Sequence, residues 1–341
     1  MHNPDNKKRG HAIALFSGGL DSALAILLML RQDIKVTALT FVTHFGCYLS
    51  DRSSCGSNPY PVAEKFGFDI ELMHLGQKFV DIVINPRYGR GKNMNVCTDC
   101  RILMLREAKC FMEMVDADFI ITGEVIGQRP MSQTRDKLNL VLKQSALKGK
   151  LLRPLSAKLL PPTEAELSGM INRDLLEGIS GRGRKRQMQL AAEFGHEDYP
   201  SPASGCLLTD PAYSARLRDL LAHTDRITFN DLNLLKAGRH FRLDENTKAI
   251  VGRHEKDNEA LVSYRQPHHL QLEALNIGSP ITLLVGNATD ENIEKAAMIT
   301  ARYTSARNQA QIEVSLTSNS GERKVTVAPA TDEELKPLVV R

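Results

Sequence analysis

The sequence predicts an α/β protein, a doubly wound parallel sheet followed by a smaller α+β module, and three observations carry that prediction. Apolar strand-like runs alternate with helix-like runs from residue 11 to about residue 122. A double glycine, Gly18-Gly19, stands where the first strand meets the first helix. After about residue 222 the alternation gives way to short, closely spaced strand-like runs around one helix.

In order, the pattern predicts a strand at 12–16, a helix at 20–31, a strand at 35–41, a loop and short helix ending at 66, and a strand at 69–74. A helix at 98–115 and a strand at 118–122 follow. Ligands of such sheets bind beyond the carboxyl ends of the strands, so residues 17–22, 41–47 and Gly123 are expected to meet in one crevice. A Pro- and Leu-rich stretch at 151–166 leads into a helical stretch at 164–177, a basic turn, a helix at 185–194 and a Pro-rich loop at 199–206. Strands are predicted at 249–251, 260–264, 270–275 and 281–285, then a helix at 291–303 and two terminal strands. The domain reading is a tail at 1–10, a nucleotide-binding domain at 11–222 and an α+β module at 223–341.

The chain has 341 residues, 42% hydrophobic and 25% charged, the balance of an ordinary globular protein with room for two domains. No apolar stretch is long enough to span a bilayer, and the polar opening lacks the apolar core of a secretory signal, so no membrane association and a cytoplasmic location are expected. Six cysteines in a chain of this length do not make a disulfide scaffold; they read as metal ligands, catalytic thiols or core. The net charge of +4 leaves affinity for a polyanion to local clusters. One such cluster is Arg182, Arg184, Lys185 and Arg186, set among glycines, which is either a solvated basic turn or a contact to RNA phosphates.

The segment Ser17-Gly18-Gly19-Leu20-Asp21-Ser22 holds the chemistry. A strand that ends in two glycines and opens a helix presents bare N–H groups and the positive end of the helix dipole to an anion. The hydroxyls of Ser17 and Ser22 add donors, and a plain glycine turn is the competing reading. No Lys follows as in GxxxxGK[ST], so Asp21 is instead available to Mg2+ beside the phosphates of a nucleotide.

Cys97 and Cys100 open the helix after residue 96 and lie on one face near its positive end, which favours thiolates. Cys206 follows in a distant loop. Three readings stay open. The first is a 4Fe–4S cluster on Cys97, Cys100 and Cys206 with one iron open to sulfide. The second is a persulfide and disulfide relay in which Cys97 or Cys100 pairs with Cys206. The third is a zinc site, for which only His196 offers a fourth ligand. Cys110 reads as core, and Cys47 and Cys55 as bystanders or auxiliary thiols.

Residues 17–22 resemble the SGGxDS signature of the PP-loop ATP pyrophosphatases. With CTDCRILMLREA at 97–108 and ITGEVIGQRPMSQT at 121–134, the stretch from about 11 to 210 resembles tRNA 4-thiouridine synthetases. That resemblance implies ATP contacts at Ser17, Gly18, Gly19, Asp21, Ser22, Arg101, Gly123 and Gln133. It also implies adenylation of a uridine carbonyl in tRNA and replacement of its oxygen by sulfur, with Asp21, Cys97 and Cys206 catalytic. Some 2-thiouridine enzymes of the superfamily hold an iron–sulfur cluster on CxxC and a distant Cys, the pattern of Cys97, Cys100 and Cys206. The synthetases carry an RNA-binding portion before the loop, where ten residues stand here; residues 235–240 and 250–258 instead resemble the RNA-binding domain of NFACT proteins. The implied partners are tRNA and a sulfur donor, either sulfide or a persulfide-carrying protein, and a homodimer is left open. The rival functions are a PP-loop enzyme that adenylates or sulfurates a small molecule, and a non-catalytic RNA-binding protein.

Overall fold

A computed structural model describes residues 9–46, 58–200, 206–319 and 321–341. Cys47, Cys55 and the Ser204-Gly205 pair before Cys206 lie outside the described residues. The chain divides into two compact units, 1–209 and 210–341.

The first unit is built on a five-stranded sheet of order β3-β2-β1-β4-β5, with every pair parallel. The strands are β1 (Gly10–Leu15), β2 (Ile34–Val42), β3 (Asp69–His74), β4 (Phe119–Thr122) and β5 (Leu151–Leu152). Between them run α1 (Leu20–Leu30), α2 (Tyr60–Phe66), α3 (Gly76–Ile84), α4 (Cys97–Met114) and α5 (Arg135–Gln144). The two-residue period of β1 serves both faces: Ala12 and Ala14 pack in one core with α1, while Ile13 and Leu15 pack in the other with Ile102, Leu105 and Ala108 of α4. Small residues on the α1 side let that helix lie close on the sheet. Strand order reverses at β1, with β2 on one side and β4 on the other, so the switch point lies between the ends of β1 and β4.

The helix expected at 164–177 is one turn only, α6 (Glu164–Leu167); Gly169, at φ +76°, ends it, and a 3-10 turn follows at Arg173–Leu175. Next comes α7 (Lys185–Glu193).

The second unit opens with α8 (Pro211–His223), so the division falls before residue 222. The helix belongs there because Asp219 takes both guanidinium bonds of Arg242, at 3.0 and 2.6 Å, and Arg216 donates to the Gly238 carbonyl at 3.0 Å. After α9 (Phe229–Leu234) comes a six-stranded antiparallel sheet of order β11-β10-β8-β9-β7-β6. Its strands are β6 (Arg239–Asp244), β7 (Thr247–Val251), β8 (Leu270–Ala274), β9 (Thr282–Val285), β10 (Ile312–Ser318) and β11 (Gly321–Val327). Residues 260–264, expected as a strand, end the helix α10 (Glu255–Tyr264). The His254 side chain caps it by accepting from the Asp257 N–H, and Leu261 fills the core beneath. The second long helix, α11 (Asp290–Arg302), covers the opposite face. No helix among the described residues is long and apolar enough to cross a membrane.

Candidate active site

The loop after β1 forms because Gly18 takes φ +73° and Gly19 is extended, which turns the chain sharply into α1. Among the described residues no side chain caps α1, so its first N–H groups remain for a ligand. The Ser22 hydroxyl donates to the Gly19 carbonyl at 2.8 Å and lies 3.2 Å from the Ser17 hydroxyl, which holds both serines at the loop mouth. Asp21 Oδ2 accepts from the Gln128 amide at 2.9 Å, while its Oδ1 is buried with no hydrogen-bond partner among the described residues. An orphaned anionic oxygen beside an uncapped helix start fits a hard cation such as Mg2+.

Gly123 leaves β4 directly behind this loop. A Cβ there would lie 2.5 Å from the Asp21 carbonyl carbon and oxygen and from the Ser22 nitrogen. Glycine is the residue that lets β4 back onto the first turn of α1. Gln133, also expected at the nucleotide, is buried, and its Oε1 has no hydrogen-bond partner among the described residues. Its backbone carbonyl accepts from Gly127 at 2.8 Å, which folds residues 127–133 into a closed turn beside the loop.

Sequence reasoning missed what orients Arg101. Its guanidinium lies 3.2 Å from Glu124 Oε1, and Arg153, from beyond β5, lies 2.9 Å from Oε2 of the same carboxylate. Glu124 is 3% exposed and Arg153 4%. Burial by itself raises the Glu124 carboxyl, but Arg101 and Arg153 outweigh it, and hydrogen bonds from Arg153 and Thr122 help hold it below its ordinary 4.5. The available signal was Glu124 immediately after Gly123 at a strand end; Arg153 carried none.

The cysteines depart from expectation. Cys97 and Cys100 do open α4, and Cys97 is exposed. Burial pushes the Cys100 thiol up to about 12; Arg101 lowers it, and the neighbouring Cys97 and Cys206 thiols raise it further. Desolvation thus opposes the effect of the helix start on the Cys100 thiol. Its S–H points to Met104 Sδ at 3.9 Å. Cys97 and Cys206 are thus within electrostatic reach of one thiol. Among the described residues no three His, Cys, Asp or Glu side chains are grouped to hold a metal ion. His196 is buried between Phe66 and Tyr199, ring centroids 5.6 and 5.7 Å away, and among the described residues it joins no group of three His, Cys, Asp or Glu that could hold a metal. Cys110 is exposed rather than core.

The basic turn lies beside the loop of residues 126–128: Gly181 donates to the Ile126 carbonyl at 2.7 Å. Its four cations are not equivalent. Arg186 is bound by Glu177 at 2.6 and 3.1 Å and by Glu193 at 2.7 Å, which removes it from the surface charge. Arg182, Arg184 and Lys185 form no ion pair among the described residues. In the second unit, Asn258 Oδ1 accepts from the Ile281 N–H at 3.1 Å, and Gly252 leaves the space that this side chain fills. That part of the 250–258 segment is an internal lock.

A parallel sheet with SGGLDS at its switch point defines a PP-loop nucleotide-binding unit. Residues 7–158 match the family model of the thiamine biosynthesis protein ThiI, and residues 238–338 that of the NFACT protein RNA binding domain. The chain therefore joins a ThiI-type PP-loop domain to an NFACT-type domain. A probable tRNA sulfurtransferase of Methanosarcina acetivorans is 29% identical over 151 residues, 41% of this chain and 33% of that protein. A tRNA-specific 2-thiouridylase of Cytophaga hutchinsonii is 28% identical over 135 residues, 34% of this chain and 35% of that protein. The chain thus spans about a third of the length of these curated relatives. A solved complex of a 4-thiouridine synthetase with RNA and bound ATP aligns over 55% of this chain and 51% of its own, at 19% identity and a TM-score of 0.35. At that score the fold rests on the strand order itself.

Proposed function

We propose that this chain is an ATP-dependent tRNA sulfurtransferase that converts a uridine carbonyl to a thiocarbonyl. The observation that carries the reading is the uncapped start of α1 next to the orphaned Oδ1 of Asp21, a seat for phosphates and for the Mg2+ that accompanies them. The N–H groups of residues 18–22 and the Ser17 and Ser22 hydroxyls grip the phosphates, Arg101 and Gln133 the rest of the nucleotide, and Gly123 gives it room. The uridine oxygen attacks the α-phosphorus, pyrophosphate leaves, and a poor leaving oxygen becomes an adenylate. Asp21 would hold magnesium, which would neutralise the charge that develops on the pyrophosphate.

For the sulfur step we propose a thiol relay, with a 4Fe–4S cluster on Cys97, Cys100 and Cys206 as the alternative. A persulfide on Cys97 or Cys206 attacks the activated carbon with its terminal sulfur and AMP leaves. The other thiolate then attacks the enzyme-side sulfur, forming a disulfide and releasing thiouridine. Arg182, Arg184 and Lys185, together with the NFACT-type domain, serve as contacts for tRNA phosphates.

Asp21→Ala is expected to abolish tRNA-dependent pyrophosphate release, measured by a coupled phosphate assay; release at the wild-type rate overturns the reading. Protein purified without oxygen is expected to be colourless and to lose thiouridine formation with Cys97→Ala or Cys206→Ala. A broad visible band that disappears in Cys97, Cys100 and Cys206 variants alike would replace the relay with a 4Fe–4S cluster.

A further inference from the structure

Gln128 has no role in the reading above, yet among the described residues its amide is the side-chain group that donates to the Asp21 carboxylate. We propose that Gln128 is the positioning residue that fixes Asp21, holding Oδ2 so that Oδ1 alone is presented to the cation. The inference rests on the reading of Asp21 as a magnesium ligand.

The turn that delivers Gln128 is tied down on every side. The Ile126 N–H donates to Ser156 Oγ at 3.1 Å, and the Ile126 carbonyl accepts from Gly181 at 2.7 Å. Gly127, at φ +74°, donates to the Gln133 carbonyl at 2.8 Å, and the Gln128 N–H donates to Val125 at 3.2 Å. A side chain launched from so constrained a backbone has little freedom in where its amide ends. At the other end Gly123 allows the close backbone contact that fixes the Asp21 main chain. With backbone and one oxygen both held, the carboxylate cannot rotate to offer its second oxygen.

The chemistry of the amide suits this task. A neutral Nε2–H satisfies Oδ2 without cancelling the charge that a cation needs, whereas Lys or Arg at the same place would compete with the metal for the carboxylate. Groups that orient a metal's ligands typically govern 10–100-fold in its affinity.

The test is Mn2+ binding, followed by the loss of the free-ion electron paramagnetic resonance signal, in the full chain with a non-hydrolysable ATP analogue. Gln128→Leu, close in size but without a donor, is expected to weaken Mn2+ by about 10-fold or more, with analogue affinity in the absence of metal unchanged. Gln128→Ala repeats the measurement should the leucine variant fail to fold. If Asp21→Ala loses Mn2+ while both Gln128 variants bind it like the wild type, the positioning role is overturned and the reading of Asp21 stands. If Asp21→Ala binds Mn2+ like the wild type, both fall.

Discussion

Glu124→Ala is expected to destabilise the first unit by about 3–5 kcal/mol, the cost of leaving a buried cation without its partner, seen as a lowered denaturation midpoint. The carboxylate is the common acceptor of two guanidinium groups, and Arg153, at 4% exposure, has no route to water when it is removed. The remaining bond of Arg153, to the Leu138 carbonyl at 3.5 Å, is too long to compensate. Arg101 is more exposed and would swing outward rather than stay charged and buried. The same substitution is therefore expected to weaken ATP binding, because the guanidinium is no longer aimed at the crevice. Glu124→Gln separates the two effects: it keeps one acceptor oxygen and the packing, and should recover part of the stability but not the aim of Arg101. Since the folded carboxyl sits below its ordinary 4.5, its contribution is full above that value and lost as pH falls through the lower, folded value. The wild type should lose this stability on acidification, and Glu124→Ala should lack that part of the acid limb.

The first strand, its glycine turn and α1 were legible because their signals are local: an apolar run in β1, two glycines, then a helix-forming run of Leu and Ala. The start of α4 near Cys97 and the existence of β2 and β3 were legible for the same reason. What escaped depends on tertiary placement. Glu124 and Arg153 meet across neighbouring strand ends, and nothing local to either marks the other. The high pKa of Cys100 runs against the expectation from helix position because burial, which sequence does not report, raises it. Residues 260–264 carry strand-like composition, but the cap at His254, six residues upstream, starts a helix that runs through them. Arg186 looked like its basic neighbours until Glu177 and Glu193 were found on either side of it.

Gly123→Ala is expected to destroy nucleotide binding while leaving a folded second unit. The added methyl would meet backbone atoms of Asp21 and Ser22 at 2.5 Å, a separation no real Cβ adopts, and backbone cannot rotate aside as a side chain can. Leu15 and Thr122 are register partners on adjacent strands, so β4 cannot shift back without breaking its ladder to β1. The strain is relieved only by lifting the first turn of α1, whose N–H groups and Asp21 carboxylate make up the proposed phosphate seat. Overpacking of this kind costs about 1–3 kcal/mol of stability, but the loss of ATP affinity should be larger than that cost implies, because the displaced atoms are the ligating ones. Gly183→Ala provides the comparison: a Cβ there meets nothing within 4 Å, and both stability and ATP binding should be unchanged. Calorimetric titration with ATP and a denaturation curve on the same samples check both quantities. Wild-type ATP affinity in Gly123→Ala would mean that the turn of α1 behind β4 is not where the phosphates bind.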